Sequence, residues 1–135
     1  MEFSSKEKKV SGFGFCDQEI RDISDNLHLF YTGVTRESKD ILAAQTENLI
    51  SDDEVVQNMH SNVELAEELV ERLAFKDIDA ISIALRQNWE LKKKFAGSIS
   101  NSELDRIYDV ATTIGEASGG KVIGAGGGGF FLFWA

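Results

Sequence analysis

The stretch that decides the fold is "GGKVIGAGGGGFFLFWA", Gly119–Ala135, which packs seven of the chain's twelve glycines into eleven residues and then runs into bulky apolar side chains. Two segments of strand character, "KVI" and "FFLFW", flank the glycines, a pattern that predicts an antiparallel hairpin with a wide connection. Gly124, Gly126 and Gly129 satisfy the G-x-G-x-x-G spacing. A dinucleotide-binding loop, however, must open a helix whose N-terminus receives the phosphate, and no helical pattern follows. A Walker loop needs a lysine and a hydroxyl directly after its glycines, where Phe130 and Phe131 stand here. What survives is a glycine-rich loop between strands. Lacking Cβ atoms, Gly124, Gly126, Gly127, Gly128 and Gly129, with Ala125 among them, can adopt positive φ and let a phosphate or sugar approach the backbone. An ordinary hairpin turn is the alternative, although it requires only one or two glycines.

Outward from the hairpin, the preceding residues read as helices. Ser100 and Glu103 have capping-box spacing ahead of the stripe Leu104, Ile107, Ala111 and Ile114, with Gly115 or Gly119 available to end the helix. A helix over 78–95 places Ile81, Ala84, Leu91 and Phe95 on one stripe around Asn88, and Lys92, Lys93 and Lys94 complement its C-terminal dipole. "SDDE" at 51–54 predicts a capping box for a long helix with Val55, Val56, Met59, Val63, Ala66, Leu69, Val70 and Leu73 inward. Glu64, Glu67, Glu68 and Glu71 form its solvated face. A shorter helix follows Thr35, read as its N-cap, with Ile41, Leu42, Gln45 and Leu49 recurring at helical spacing and an end near Ser51. "NLHLFYTGV" from Asn26 suits a strand, and "VSGFGFC", with Phe13 and Phe15 on one side, is a second candidate. Residues 1–9 read as a flexible leader and 10–135 as one domain. The order is strand, strand, four helices, hairpin, an α+β arrangement in which about four helices cover an antiparallel sheet.

Composition limits the function. The chain has 135 residues, 42% of them hydrophobic, enough for one core burying roughly two thirds of the unfolded surface. Its 23 acidic against 14 basic residues leave a net charge of −9, which argues against nucleic acid and anionic membranes as partners. One cysteine, Cys16, and no apolar run of about 20 residues suggest a protein of the reducing cytoplasm. Cys16 reads as a packing residue, and His28 and His60 lack metal-ligand spacing, so no zinc is expected. No proline is present, which leaves punctuation to glycines and caps.

The hairpin resembles the third, carboxy-terminal motif of the galactokinase, homoserine kinase, mevalonate kinase and phosphomevalonate kinase (GHMP) superfamily. Within it, "NLHLFYTGVTRESKDILAAQ" and "NWELKKKFAGSISNSELDRIYDVA" resemble the sugar kinases that phosphorylate D-glycero-D-manno-heptose 7-phosphate, so the resemblance runs from about Asn26 to Ala135. It implies a ferredoxin-like C-terminal domain of a kinase that transfers the γ-phosphoryl group of ATP, with magnesium, to a sugar hydroxyl in a cleft between two domains. It also implies that Gly124–Gly129 line that cleft. The family's N-terminal domain carries a "GLGSS"-like phosphate loop and the metal-binding carboxylates, and no such stretch occurs here. This chain is therefore expected to hold no catalytic residue, to bind neither ATP nor magnesium by itself, and to need that domain as its partner. Family members continue past the hairpin with a further helix and strand, whose absence is expected to leave the sheet unfinished. The chain then reads as part of a longer kinase or as a truncated product, although Met1 permits independent translation.

Other candidate contacts come from the residues themselves. Thr32, Gly33, Thr35 and Arg36 of "YTGVTR" lie at a strand end, where loops present chemistry, and the Arg36 fork suits a sugar phosphate; a solvated arginine is the plainer reading. Asn88 could face a sugar, or be a core asparagine satisfied by backbone. Lys121 could reach a phosphate, or lie at a strand edge. A rival function is a noncatalytic assembly module, in which an open apolar edge at Phe130, Phe131, Phe133 and Trp134 pairs with another chain, so a homo-oligomer is expected.

Overall fold

A computed structural model describes residues 12–35 and 38–135, and also the backbone of two short strands, β1 (Glu2–Phe3) and β2 (Lys8–Lys9), which pair antiparallel. The elements that follow are α1 (Asp17–Asn26), β3 (Leu27–Tyr31), α2 (Ser38–Ser51), α3 (Asp53–Ala74), α4 (Ala80–Lys93), α5 (Ser102–Thr113), β4 (Gly119–Val122) and β5 (Phe130–Trp134). The α+β expectation holds, with five helices among the described residues where about four are expected. Among the described residues, no helix is long and apolar enough to cross a membrane.

The "VSGFGFC" segment is not a strand. Gly14 takes φ +61°, which breaks an extended run, and the Phe13 and Gly14 carbonyls turn to accept from Lys76 Nζ at 3.1 and 2.6 Å. The same ammonium lies 4.4 Å from the Phe15 ring centre and 3.3 Å from Glu19 Oε2. Helix α1 escapes the periodicity reading because only Ile20 and Ile23 are apolar in "DQEIRDISDN" and none of its residues is buried. Its start is held locally: the Cys16 N–H donates to Glu19 Oε2 at 2.6 Å, which also holds the Glu19 carboxyl below its ordinary pKa. Cys16 is exposed at this helix start, not packed in the core.

Two caps shift by one residue. Asp52, not Ser51, caps α3 by accepting from the Glu54 N–H at 2.9 Å, while Ser51 Oγ donates back to the Glu47 carbonyl inside α2. Asn101, not Ser100, caps α5, its Oδ1 accepting from the N–H groups of Glu103 and Leu104. Helix α2 starts at Ser38, so Thr35 is not its cap. In α3 the inward face is carried by Val55 and Leu65, and Val63 and Val70 stay half exposed. Helix α4 buries Ala80, Ser82, Ala84 and Trp89, more than one stripe, because α3 packs on one side of it and the sheet on another.

The sheet has the order β3-β5-β4, antiparallel throughout. Strand β5 is therefore its centre, paired from Leu27↔Trp134 to Tyr31↔Phe130 on one side and from Gly119↔Trp134 to Val122↔Phe131 on the other. This overturns the open-edge reading of Phe130, Phe131, Phe133 and Trp134: three of them are buried, and the free edges among the described residues belong to β3 and β4. A strand about a hundred residues earlier, β3, pairs with the second strand of the hairpin. The core closes over β5, where the Phe131 ring sits 5.5 Å edge-on to Trp89 and 5.0 Å stacked on Phe133, with Ile99, Leu104 and Val122 fully buried around them.

Candidate functional site

The glycine loop joins β4 to β5, and a strand indeed follows its last glycine. Gly124, Gly126, Gly127, Gly128 and Gly129 all have positive φ, from +75° to +151°, a run that residues with side chains rarely adopt. Two positions also lack room for a Cβ: at Gly128 it would stand 2.3 Å from the Val34 carbonyl oxygen, and at Gly126 2.8 Å from Ile99 Cγ2. The loop is therefore a packed feature and not slack chain.

Four segments hold it. The Gly127 N–H donates to the Ile99 carbonyl at 2.7 Å, and the Gly129 N–H to the Val34 carbonyl at 2.8 Å. Gln45 of α2 donates through Nε2 to the Ala125 carbonyl at 3.2 Å, and Lys92 of α4 donates through Nζ to the Gly124 carbonyl. Among the described residues, no acceptor faces the N–H groups of Gly124, Ala125, Gly126 and Gly128. Among the described residues the loop thus ties the Gly124, Ala125 and Gly129 carbonyls to the scaffold and leaves these four donors without acceptors, donors that an anion can use.

The loop walls a groove of about 400 Å³, completed by Thr35, Leu29, Ile123 and Phe130. Thr32 is buried beneath it: its N–H donates to the Gly129 carbonyl at 2.9 Å, and its Oγ1 lies 3.0 Å from that same oxygen while accepting from the Val34 N–H. Gly33, at φ +72°, makes the turn that lets Thr32 and Val34 both meet the loop. The structure thus joins Thr32, Gly33 and Thr35 to Gly124–Gly129, with Thr32 and Gly33 shaping the loop and only Thr35 lining the groove. Arg36 lies outside the described residues.

Asn88 and Lys121 are elsewhere. They line a separate hollow between α3, α4 and β4 together with Asn62. Asn88 Nδ2 donates to Asn62 Oδ1, so its partner is a side chain of α3 and not backbone as expected. Lys92 and Gln45, missed as site residues, were legible only as a dipole cation and a helix-stripe position; no local pattern shows that either reaches a carbonyl 32 or 80 residues away.

Burial, reinforced by the neighbouring Lys121 charge, pushes the Lys92 ammonium down to about 8, and burial lowers Lys121 in the same direction. An unfolded lysine titrates near pH 10.4, so between about pH 8 and 10 the unfolded chain binds more protons than the folded one. Stability should therefore rise with pH across that window, and Lys92→Met should flatten the rise. Urea unfolding at pH 7.5, 8.5 and 9.5 measures it. Above pH 10 the half-buried Tyr108 phenol, whose pKa burial raises, reverses the trend.

Residues 64–135, just over half of the chain, match the family described as GHMP kinases C terminal, and the chain belongs to that family. It is 36% identical over 106 residues to the D-glycero-alpha-D-manno-heptose 7-phosphate kinase of Campylobacter jejuni, covering 78% of this chain and 31% of that protein. It is 28% identical over 119 residues to the bifunctional fucokinase/GDP-fucose pyrophosphorylase of Arabidopsis thaliana, covering 87% of this chain and 11% of that protein. The fold matches the crystal structure of L. major mevalonate kinase in complex with R-mevalonate at a TM-score of 0.70 and 21% identity, over 81% of this chain and 33% of that one. The chain thus spans about a third or less of the length of these relatives.

Proposed function

We propose that this chain supplies the glycine-loop half of an ATP- and magnesium-dependent sugar kinase, with a heptose phosphate as acceptor, and is inactive without an N-terminal kinase domain. The observation that carries it is the loop itself: five positive-φ glycines, with the Gly124, Ala125 and Gly129 carbonyls tied to the scaffold, and four N–H groups without an acceptor among the described residues, beside a groove. Such donors, held before any ligand arrives, favour phosphate oxygens without reorganisation, the form of assistance phosphoryl transfer depends on. The likeness to the Campylobacter kinase supports a heptose phosphate over other sugars.

The loop fits phosphate groups of ATP or of a sugar, because at Gly124 and Gly129 the missing Cβ faces open space and a ligand would meet backbone there. Thr35 adds a hydroxyl at the rim. Among the described residues no group of three His, Cys, Asp or Glu side chains is placed to hold a metal. In this reading magnesium, which would neutralise phosphate charge, would be held by carboxylates of the other domain. A cytoplasmic location belongs to the same proposal, supported by the lone, unpaired thiol.

The isolated chain should release no ADP above background from magnesium-ATP and heptose 7-phosphate in a coupled assay. A hybrid carrying these residues behind the N-terminal domain of the Campylobacter relative should turn over. Turnover by the isolated chain, or a folded hybrid without activity, overturns the reading.

A second reading, self-association as a noncatalytic module, moves from β5 to β3. Leu29, Phe30 and Tyr31 are half or more exposed there. The bonds from Thr32 N to Gly129 O and from Ala135 N to Asn26 O set the ladder's phase, so Leu29 and Tyr31 direct their backbone groups away from β5. No charged residue or proline interrupts Leu27–Tyr31 to deter pairing. Sedimentation equilibrium should show a concentration-dependent dimer that Leu29→Lys abolishes; a monomer at all concentrations excludes this reading.

A further inference from the structure

We propose that the hollow between α3, α4 and β4 is a second ligand site, separate from the glycine-loop groove, which takes a small hydroxylated anion of the glycerate or glycerol phosphate kind. The hollow has a volume of about 190 Å³. That is space for about six waters at roughly 30 Å³ each, enough for a three-carbon acid and far too little for a nucleotide. Its walls are apolar, formed by Leu65, Leu69, Ile81 and Leu85, and its polar groups are confined to Asn62, Asn88 and Lys121. This is the usual composition of a small-molecule pocket: carbon surface with a few polar groups that orient.

Each polar group leaves a specific demand. Lys121 is half buried and makes no ion pair or hydrogen bond among the described residues, and its charge bears on another ammonium, that of Lys92. An anionic oxygen answers that demand and offsets the repulsion between the two ammonium groups. Asn88 spends its Nδ2 on Asn62, and its Oδ1 is buried with no donor. Buried amide oxygens are rarely left unpaired, so a donor is required there, which a hydroxyl supplies once the Asn88 amide turns toward the hollow. One anionic group and one hydroxyl on a short carbon chain meet both demands together. A simple cation is disfavoured by the two lysines, and a purely apolar guest would leave Asn88 and Lys121 unmatched.

The inference rests on no part of the kinase reading, and its test does not involve turnover. The full 135-residue chain, labelled with ¹⁵N, is titrated with D-glycerate and with glycerol 3-phosphate, with acetate and glycerol as partial mimics. Saturable shifts in the low millimolar range are expected at Lys121 and at the side-chain amides of Asn62 and Asn88 with at least one of the two hydroxylated anions. Both partial mimics should bind at least tenfold more weakly. Lys121→Met, which removes the charge, and Ala66→Leu, which fills the hollow, should each weaken binding at least tenfold while the remaining spectrum stays that of the folded chain. Three results overturn the proposal: no saturable shift up to 50 mM of either anion, acetate or glycerol binding as tightly as the full ligand, or undiminished binding by either variant.

Discussion

Replacing Phe131 by alanine should cost about 3–5 kcal/mol of stability, a loss at the upper end for a single side-chain truncation. Phe131 is fully buried at the middle of the central strand and meets three rings: Trp89 edge-on at 5.5 Å, Tyr108 at 6.2 Å and Phe133 stacked at 5.0 Å. Its backbone is clamped on both sides by Phe30 and Val122, so the cavity left by truncation cannot close by moving the strand. The neighbouring Phe130→Ala should cost less than about 1 kcal/mol, because that ring is 48% exposed and touches chiefly Tyr31, 5.1 Å away. Urea unfolding with unchanged denaturant slopes gives both values. A near-equal pair of losses would refute the placement of Phe131 on the core face of β5 and of Phe130 on its exposed face.

Gly128→Ala should cost about 3 kcal/mol or more and, in the hybrid kinase, lower turnover by about a hundredfold. The new Cβ would stand 2.3 Å from the Val34 carbonyl oxygen and 2.8 Å from its carbon, at a φ of +151°. Backbone cannot step aside there, because the same carbonyl accepts from the Gly129 N–H and Thr32 ties the segment from beneath. Relief comes only by opening the loop, which scatters the four free N–H groups. Gly124→Ala is the control: its Cβ meets nothing within 4 Å, and only the φ of +77° is costly, at about 1–2 kcal/mol. Equal stability and activity in the two variants would show that space at Gly128 plays no part in shaping the loop.

What proved legible in the sequence was what short-range chemistry dictates. The hairpin, the Leu27–Tyr31 strand and the helices now seen as α2 to α5 rest on periodicity and glycine content, which act over a few residues. Errors arose where two signals competed locally. Ser51 and Asp52, or Ser100 and Asn101, are equally good caps on paper, and the chain's exact entry into the helix selects between them. Helix α1 was missed because its stability comes from an acid-rich first turn and the Glu19 cap, not from an apolar stripe. In α3 the periodicity marked Val63 and Val70 as inward, yet the seam with α4 takes Leu65 and admits Asn62.

The sequence by itself determined the class of fold, the family likeness and the presence of a glycine loop between strands, since each is written in contiguous residues. Only the tertiary structure decided which strand is central, because β3 and β5 are joined by hydrogen bonds across about a hundred residues and no local preference encodes that pairing. It also decided which side chains serve the loop. Lys92 and Gln45 reach it by the packing of α4 and α2, while Asn88 and Lys121 are carried to a different hollow by the same packing. Contacts of that kind depend on where whole elements come to rest, a property of the buried core and not of any segment read alone.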